Sequence, residues 1–200
     1  MFKAVGKASA EIYRTLGRNR TDLGTITRAV ESVTAIDKVV FVEYESSPNN
    51  PIWGSFQKYV RRPSPYTSIE TWVEIRYASH LDTTWRRFVV CKELCHALEE
   101  DDGCHSVSPS AMDALVNSFS LGSKRTIEEA KQTTPPIAAE SLAEAAALEL
   151  LCPMPIRREV EARGLEDHTE VCAEWGIPYE YGWFAFGKRW IDAMDGFIRG

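Results

Sequence analysis

The 200-residue chain has no run of about 18 apolar residues, so nothing in it reads as a membrane span. It is short of positive charge: 23 Lys and Arg stand against 29 Asp and Glu, a formal net charge of −6. A phosphate backbone needs a basic face, so wholesale electrostatic binding to nucleic acid is not expected, although a local basic patch stays open. Cysteines number only five, Cys91, Cys95, Cys104, Cys152 and Cys172. The count is odd, and MFKAVGKASAEIYR lacks the charged-then-apolar layout of a signal peptide, which argues against a disulfide framework. The expectation is a cytoplasmic protein with free thiols or a metal site. There is no internal repeat, and of four histidines two, His80 and His168, have no partner pattern and read as surface or capping residues.

What remains is an ordinary globular composition, 44% hydrophobic, 26% charged and 10% aromatic. Collagen-like, low-complexity and disordered readings fall away on those proportions. One compact domain of this length buries roughly 70% of its unfolded surface, enough for a core without staples or structural metals. Helical spacing runs over 6–17 and 25–35, with Thr25 as the N-cap of the second helix and GRNRTDLG as the break. Lys3, Lys7, Arg14, Arg18, Arg20 and Arg28 outnumber Glu11 and Asp22 there, which reads as a solvated helical face. KVVFVEY, 38–44, reads as a buried strand. SFQKYV, RRPSPYTS and TWVEIRY together predict a β-hairpin with a long, proline-stiffened connection. In TWVEIRY, Val73, Ile75 and Tyr77 share one face and Trp72, Glu74 and Arg76 the other, the pattern of a half-buried strand.

From Leu81 to Glu100 the period becomes helical and the helix is apolar on more than one side. One stripe holds Trp85, Phe88, Val89, Lys92 and His96, and another, turned away from it, holds Cys91, Leu94, Cys95 and Leu98. Such a helix is central. Residues 101–136, punctuated by Gly103, Pro109, Gly122, Pro135 and Pro136, read as a surface excursion with a short helix near 111–119. Thr134, Pro135 and Pro136 then open an Ala-rich helix, IAAESLAEAAALELL, that Pro153 ends. Further helices are expected over 156–163, 167–175 and 178–197, the first two closed by Gly164 and Gly176. The fold class expected is α+β: a small mixed or antiparallel sheet over 38–78 packed on a central motif helix. A helical part over 1–36, motif helices over 81–153 and a helical tail over 154–200 complete a single domain.

The central helix carries RFVVCKELCHAL. In the zincin motif HExxH, two histidines at i and i+4 reach one zinc ion while the intervening Glu polarises its bound water. Here Glu93 and His96 keep their places, but Lys92 stands where the first His would be. The string resembles the RFTLAHELGHAL-type segment of the ImmA/IrrE family of metallopeptidases at Arg87, Phe88, Glu93, Leu94, His96, Ala97 and Leu98. A second block, ESLAEAAALELLCP, is similar to that family's ExxANxFAxxLLMP segment at Glu140, Ala143, Ala147, Leu150, Leu151 and Pro153. Glu144, Ala146 and Cys152 depart from its Asn, Phe and Met. The resemblance covers 71–153 well and implies a zincin-like fold with Glu140 as third ligand, His96 as second and Glu93 as general base.

Lys92 changes that chemistry. A protonated ammonium has three donors and no lone pair, so it cannot ligate zinc. His96 and Glu140 alone make a poor zinc site, and the cofactor expected is none or weak zinc. The lysine's own charge would stand among Glu93, Glu140 and His96 where the metal would have been. Cys95, Cys104 and His105 are the donors that would complete a three-ligand set, whereas small buried core thiols are the plainer account of Cys91 and Cys95.

Members of the family act on transcriptional repressors of phages and other mobile elements, and three readings follow. The first is a pseudopeptidase binding a regulator or other protein partner through the old substrate groove. The second is a working metallo-endopeptidase, cleaving a repressor, whose missing ligand comes from elsewhere. The third is an unrelated helical binding or structural module. Under the first, TWVEIRY is expected to be the edge strand beside the groove, because zincins hold a peptide by adding it to such an edge, with Trp72, Glu74 and Arg76 against the partner. The stretch VCAEWGIPYEYGWFAFGKRW is faintly like a helix-turn-helix. With only Lys188 and Arg189 basic among its aromatics, packing against the body explains it better.

Overall fold

The computed structural model describes residues 1–50, 52–98, 135–165 and 167–199, of which 135–139 and 197–199 are described by backbone alone. The excursion expected over 101–136, with Cys104 and His105, lies almost wholly outside the described residues. Two helices open the chain, α1 (Phe2–Leu16) and α2 (Leu23–Val33). Asp22, not Thr25, caps α2: its carboxylate accepts from the Thr25 amide at 2.9 Å and from the Thr25 hydroxyl at 2.7 Å. A carboxylate accepts both bonds at once and favours the positive end of the helix, so it displaces Thr as the cap.

Three strands follow, β1 (Lys38–Tyr44), β2 (Gly54–Arg61) and β3 (Glu70–Ala78), in the order β1-β3-β2. β2 and β3 form the expected antiparallel hairpin, and β1 runs parallel to β3, so the sheet is small and mixed. Two expectations fail here. TWVEIRY lies in the central strand, paired on both sides, because the inner residues Val73 and Ile75 are fully buried and need a neighbour on each flank to shut out water. KVVFVEY, expected to be buried, is instead an outer strand whose Phe41 and Val42 remain exposed, since only Val39 turns into the core.

The sheet's inner face packs on α3 (Thr83–Ala97), and α3 packs on α4 (Pro135–Leu151). Alanines 143, 145, 146 and 147 on α4 are fully buried, and their small side chains let the two helices approach closely. The tail consists of α5 (Met154–Glu161), α6 (Thr169–Trp175), a 3₁₀ turn (Tyr179–Tyr181), α7 (Gly182–Phe186) and α8 (Lys188–Arg199). The single helix expected over 178–197 is thus broken at Gly187, whose backbone is extended. Gly176, with φ +61, ends α6 in the left-handed region and gives way to the Arg20 guanidinium, which a Cβ would meet at 2.2 Å.

A buried ion pair ties the layers together. Glu149 on α4 accepts from Ser9 of α1 at 2.6 Å, from the Met154 amide at 2.8 Å and from Arg157 of α5 at 3.2 Å. Arg157 in turn donates to the carbonyls of Phe184 and Ala185 in α7. No helix among the described residues is long and apolar enough to cross a membrane.

Candidate functional site

Asp82 caps α3 by accepting from the Trp85 amide at 2.8 Å, and this sets the helix phase. The stripe Trp85, Phe88, Val89, Lys92 and His96 then faces a cleft of about 560 Å³, with Glu93 beside it. The opposite wall is the start of β2 with the residues before it, Ile52 to Phe56. Glu140 and Glu144, one turn apart on α4, and Tyr181 from the tail close the third side. Cys91, Leu94 and Cys95, on the other stripe of α3, are wholly buried in the core.

Gly54 is where β2 touches α3. A Cβ there would lie 2.5 Å from Val89 Cγ1 and 2.8 Å from Glu93 Cγ, so only glycine allows the approach that presses the strand on Glu93. The next inner residue, Phe56, lays its ring parallel to His96, with centroids 6.1 Å apart and planes 8° from parallel. Trp53 meets Trp85 edge-on at 5.1 Å, and Tyr181 packs at 4.2 Å on Phe88.

Within these walls Lys92 Nζ lies 2.7 Å from Glu140 Oε2 and 3.2 Å from Glu93 Oε1, while His96 Nε2 lies 3.1 Å from Glu140 Oε1. The last pair is a close ionic contact, and His96 Nε2 has no other partner among the described residues. Burial works against the Lys92 ammonium, but the Glu140 hydrogen bond and the charges of Glu93 and Glu140 outweigh it, so its pKa rises above the usual 10.5. Burial would raise Glu140, yet the Lys92 bond and charge, aided by His96, hold it below the usual 4.5. At neutral pH this is an ammonium shared by two carboxylates. Burial, then the charge of Glu144 and the hydrogen bond to it, push the Tyr181 phenol up, so it stays a donor.

The residues present do not fit a three-ligand zinc ion. Among the described residues no three His, Cys, Asp or Glu side chains converge as a metal-holding group. The position one turn before His96 carries an ammonium, with no lone pair to offer, bound to the carboxylate a metal would need. Cys95, on the core stripe, is not among the cleft residues, and Cys91, pushed up to about 12 by burial, remains a neutral thiol.

Lys92, Glu93, His96 and Glu140 therefore stand together, from two helices 48 residues apart in the pairing of Lys92 with Glu140. Trp72, Glu74 and Arg76 do not join them. They lie on the sheet's other face, where Trp72 sits between Lys38 Nζ at 4.6 Å and Arg61 Cζ at 4.8 Å, and Glu74 pairs with Arg76. The cleft residues that sequence reasoning missed include Trp53, Gly54, Phe56, Glu144 and Tyr181. Only Glu144 left a signal, its spacing of four from Glu140. No protein-family model, no curated protein and no solved structure matches the chain.

Proposed function

We propose that this chain is a degenerate, zincin-like relative of the ImmA/IrrE metallopeptidases that works as a pseudopeptidase. It binds an extended segment of a protein partner, such as a transcriptional regulator of a phage or mobile element, in the cytoplasm and without a catalytic metal. The observation that carries this reading is the Lys92 ammonium seated between Glu93 and Glu140. It keeps the carboxylates paired while removing a ligand.

The strand edge supports the binding role. The Ala78 amide donates to the Trp53 carbonyl, so by the alternation of an antiparallel ladder the backbone groups of Gly54 and Phe56 face away from β3. An extended segment can pair there, along β2 rather than TWVEIRY. Its inward side chains would enter the cleft beside Phe56 and Tyr181.

The test is binding of a pool of extended nonapeptides, followed by the fluorescence of Trp53 and Trp85, with and without a chelator. Binding that survives chelation is expected. Binding that needs added zinc, with cleavage abolished by Glu93→Gln, would favour the rescued enzyme instead, and no binding at all would remove the peptide-holding role.

A further inference from the structure

We propose that Arg20 and Arg87, with the Thr21 hydroxyl, form a binding site for one phosphate group, either free or carried as a monoester by a small molecule. The site is independent of the cleft. Arg87 shares its stripe of α3 with Cys91 and Leu94, on the side turned away from Lys92 and His96, and is only 9% exposed. A charge buried to this degree is ordinarily paired. Among the described residues Arg87 has no carboxylate within ion-pair distance: its guanidinium donates to the Thr21 carbonyl, and its buried Nε–H has no acceptor. Burial, then the charge of Arg20, pulls its pKa down, yet a guanidinium still keeps its proton at neutral pH. The hydroxyl of Thr21, a residue 1% exposed, is also without a partner.

A second guanidinium stands at the same place. Arg20 directly precedes Thr21, is exposed, and lies against Gly176 at the end of α6, where any larger side chain would displace it. It makes no hydrogen bond or ion pair among the described residues. The carboxylate whose charge reaches Arg87 is Asp22, and it is already engaged. Asp22 accepts from the Thr25 amide and hydroxyl as the cap of α2, and Arg28, which donates to that hydroxyl at 3.0 Å, supplies its counter-charge. The charges of Arg20 and Arg87 are left over. A phosphate monoester carries close to two negative charges at neutral pH and offers three acceptor oxygens, enough for the Arg87 Nε–H, the Arg20 fork and the Thr21 hydroxyl. A carboxylate brings half the charge and one oxygen fewer. Because Arg20 is exposed, the site opens to solvent on its side. The chain's net charge of −6 disfavours a polymer of phosphates, which leaves a single small phosphate as the ligand.

The experiment titrates the full chain with inorganic phosphate, glycerol phosphate and acetate at fixed ionic strength, just above neutral pH. The readout is the NMR signal of the Arg87 Nε–H, assigned by through-bond correlation to its own backbone. That signal should move saturably with phosphate, and acetate should bind at least about tenfold more weakly. Arg20→Gln removes one of the two charges and should weaken phosphate about tenfold. Lys7→Gln, the same charge change on the exposed face of α1, should leave the affinity within about twofold. Glycerol phosphate binding as well as phosphate would assign the site to small monoesters, and binding of inorganic phosphate alone would assign it to the free ion; either upholds the site. An Arg87 signal that phosphate does not move, or equal binding of acetate, would overturn it, and this wild-type comparison is decisive by itself if Arg20→Gln fails to fold. So would unchanged affinity in Arg20→Gln, or an equal loss in Lys7→Gln.

Discussion

Replacing Lys92 by His should convert the cleft into a zinc site. The substitution removes the ammonium between Glu93 and Glu140 and puts an imidazole at i, with His96 at i+4, on the stripe that already faces the cleft. Two donors of one tetrahedral zinc, each about 2.05 Å from the metal, sit about 3.3 Å apart. His96 Nε2 and Glu140 Oε1 stand at 3.1 Å, so little rearrangement is needed. Without metal the variant should be less stable than the wild type by about 3 kcal/mol, because the buried Glu93 loses its counter-charge. With metal most of that loss should be recovered. At a free zinc concentration of 100 times Kd, binding returns about 2.7 kcal/mol, or roughly 5–10 °C in Tm for a chain this size. Competition against a chromophoric chelator should show at least about 100-fold tighter zinc binding than the wild type, beyond what outer-shell changes give. Equal and weak zinc binding by both proteins would refute the reasoning, and would mean that Glu140 and His96 are not placed as ligands.

Three further outcomes follow from the packing. Gly54→Ala drives a methyl into Val89 and Glu93, and should cost about 2 kcal/mol in urea unfolding; an unchanged midpoint would mean that β2 does not press on α3. Glu149→Gln leaves the fully buried Arg157 without its counter-charge and should cost about 3–5 kcal/mol by the same measurement, whereas a loss under 1 kcal/mol would show that the pair does not tie the tail to the core. Asp22→Ala should cost about 1 kcal/mol at neutral pH through the lost cap of α2. The Thr25 hydroxyl, then the Thr25 amide, hold the Asp22 carboxyl below its usual 3.8, so its contribution is present above that value and is lost as pH falls through the folded one. The stability gap between wild type and variant should therefore close in acid, and a gap independent of pH would contradict the cap.

Faces were legible in the sequence where neighbours were not. The 3.6 period of α3 separates Trp85, Phe88, Val89, Lys92 and His96 from the core thiols, and that stripe lines the cleft. Glu140 stands within reach because the buried alanines of α4 let it pack closely on α3. The alternation in TWVEIRY correctly separates Val73 and Ile75 from Trp72, Glu74 and Arg76, but alternation reports which face a residue takes and is silent on which strands flank it. The order β1-β3-β2 comes from a parallel pairing that skips β2, a long-range choice with no local signature. KVVFVEY misled for a related reason: a continuous apolar run reads as buried, yet an outer strand with one uncovered face can carry it. Nothing in the local sequence singles out Gly54, and its need for glycine exists only because Val89 and Glu93 lie opposite. Tyr181 arrives from the tail, 37 residues beyond Glu144, and nothing near it in sequence points to the cleft.

Zinc stoichiometry of the purified full-length chain, measured with the His96→Ala and Glu140→Ala variants in one buffer, tests the pseudopeptidase reading most directly. The ammonium at Lys92 predicts well under one zinc per chain in all three proteins and no proteolysis that depends on Glu93. One tightly held zinc per wild-type chain, lost in either variant, would contradict it.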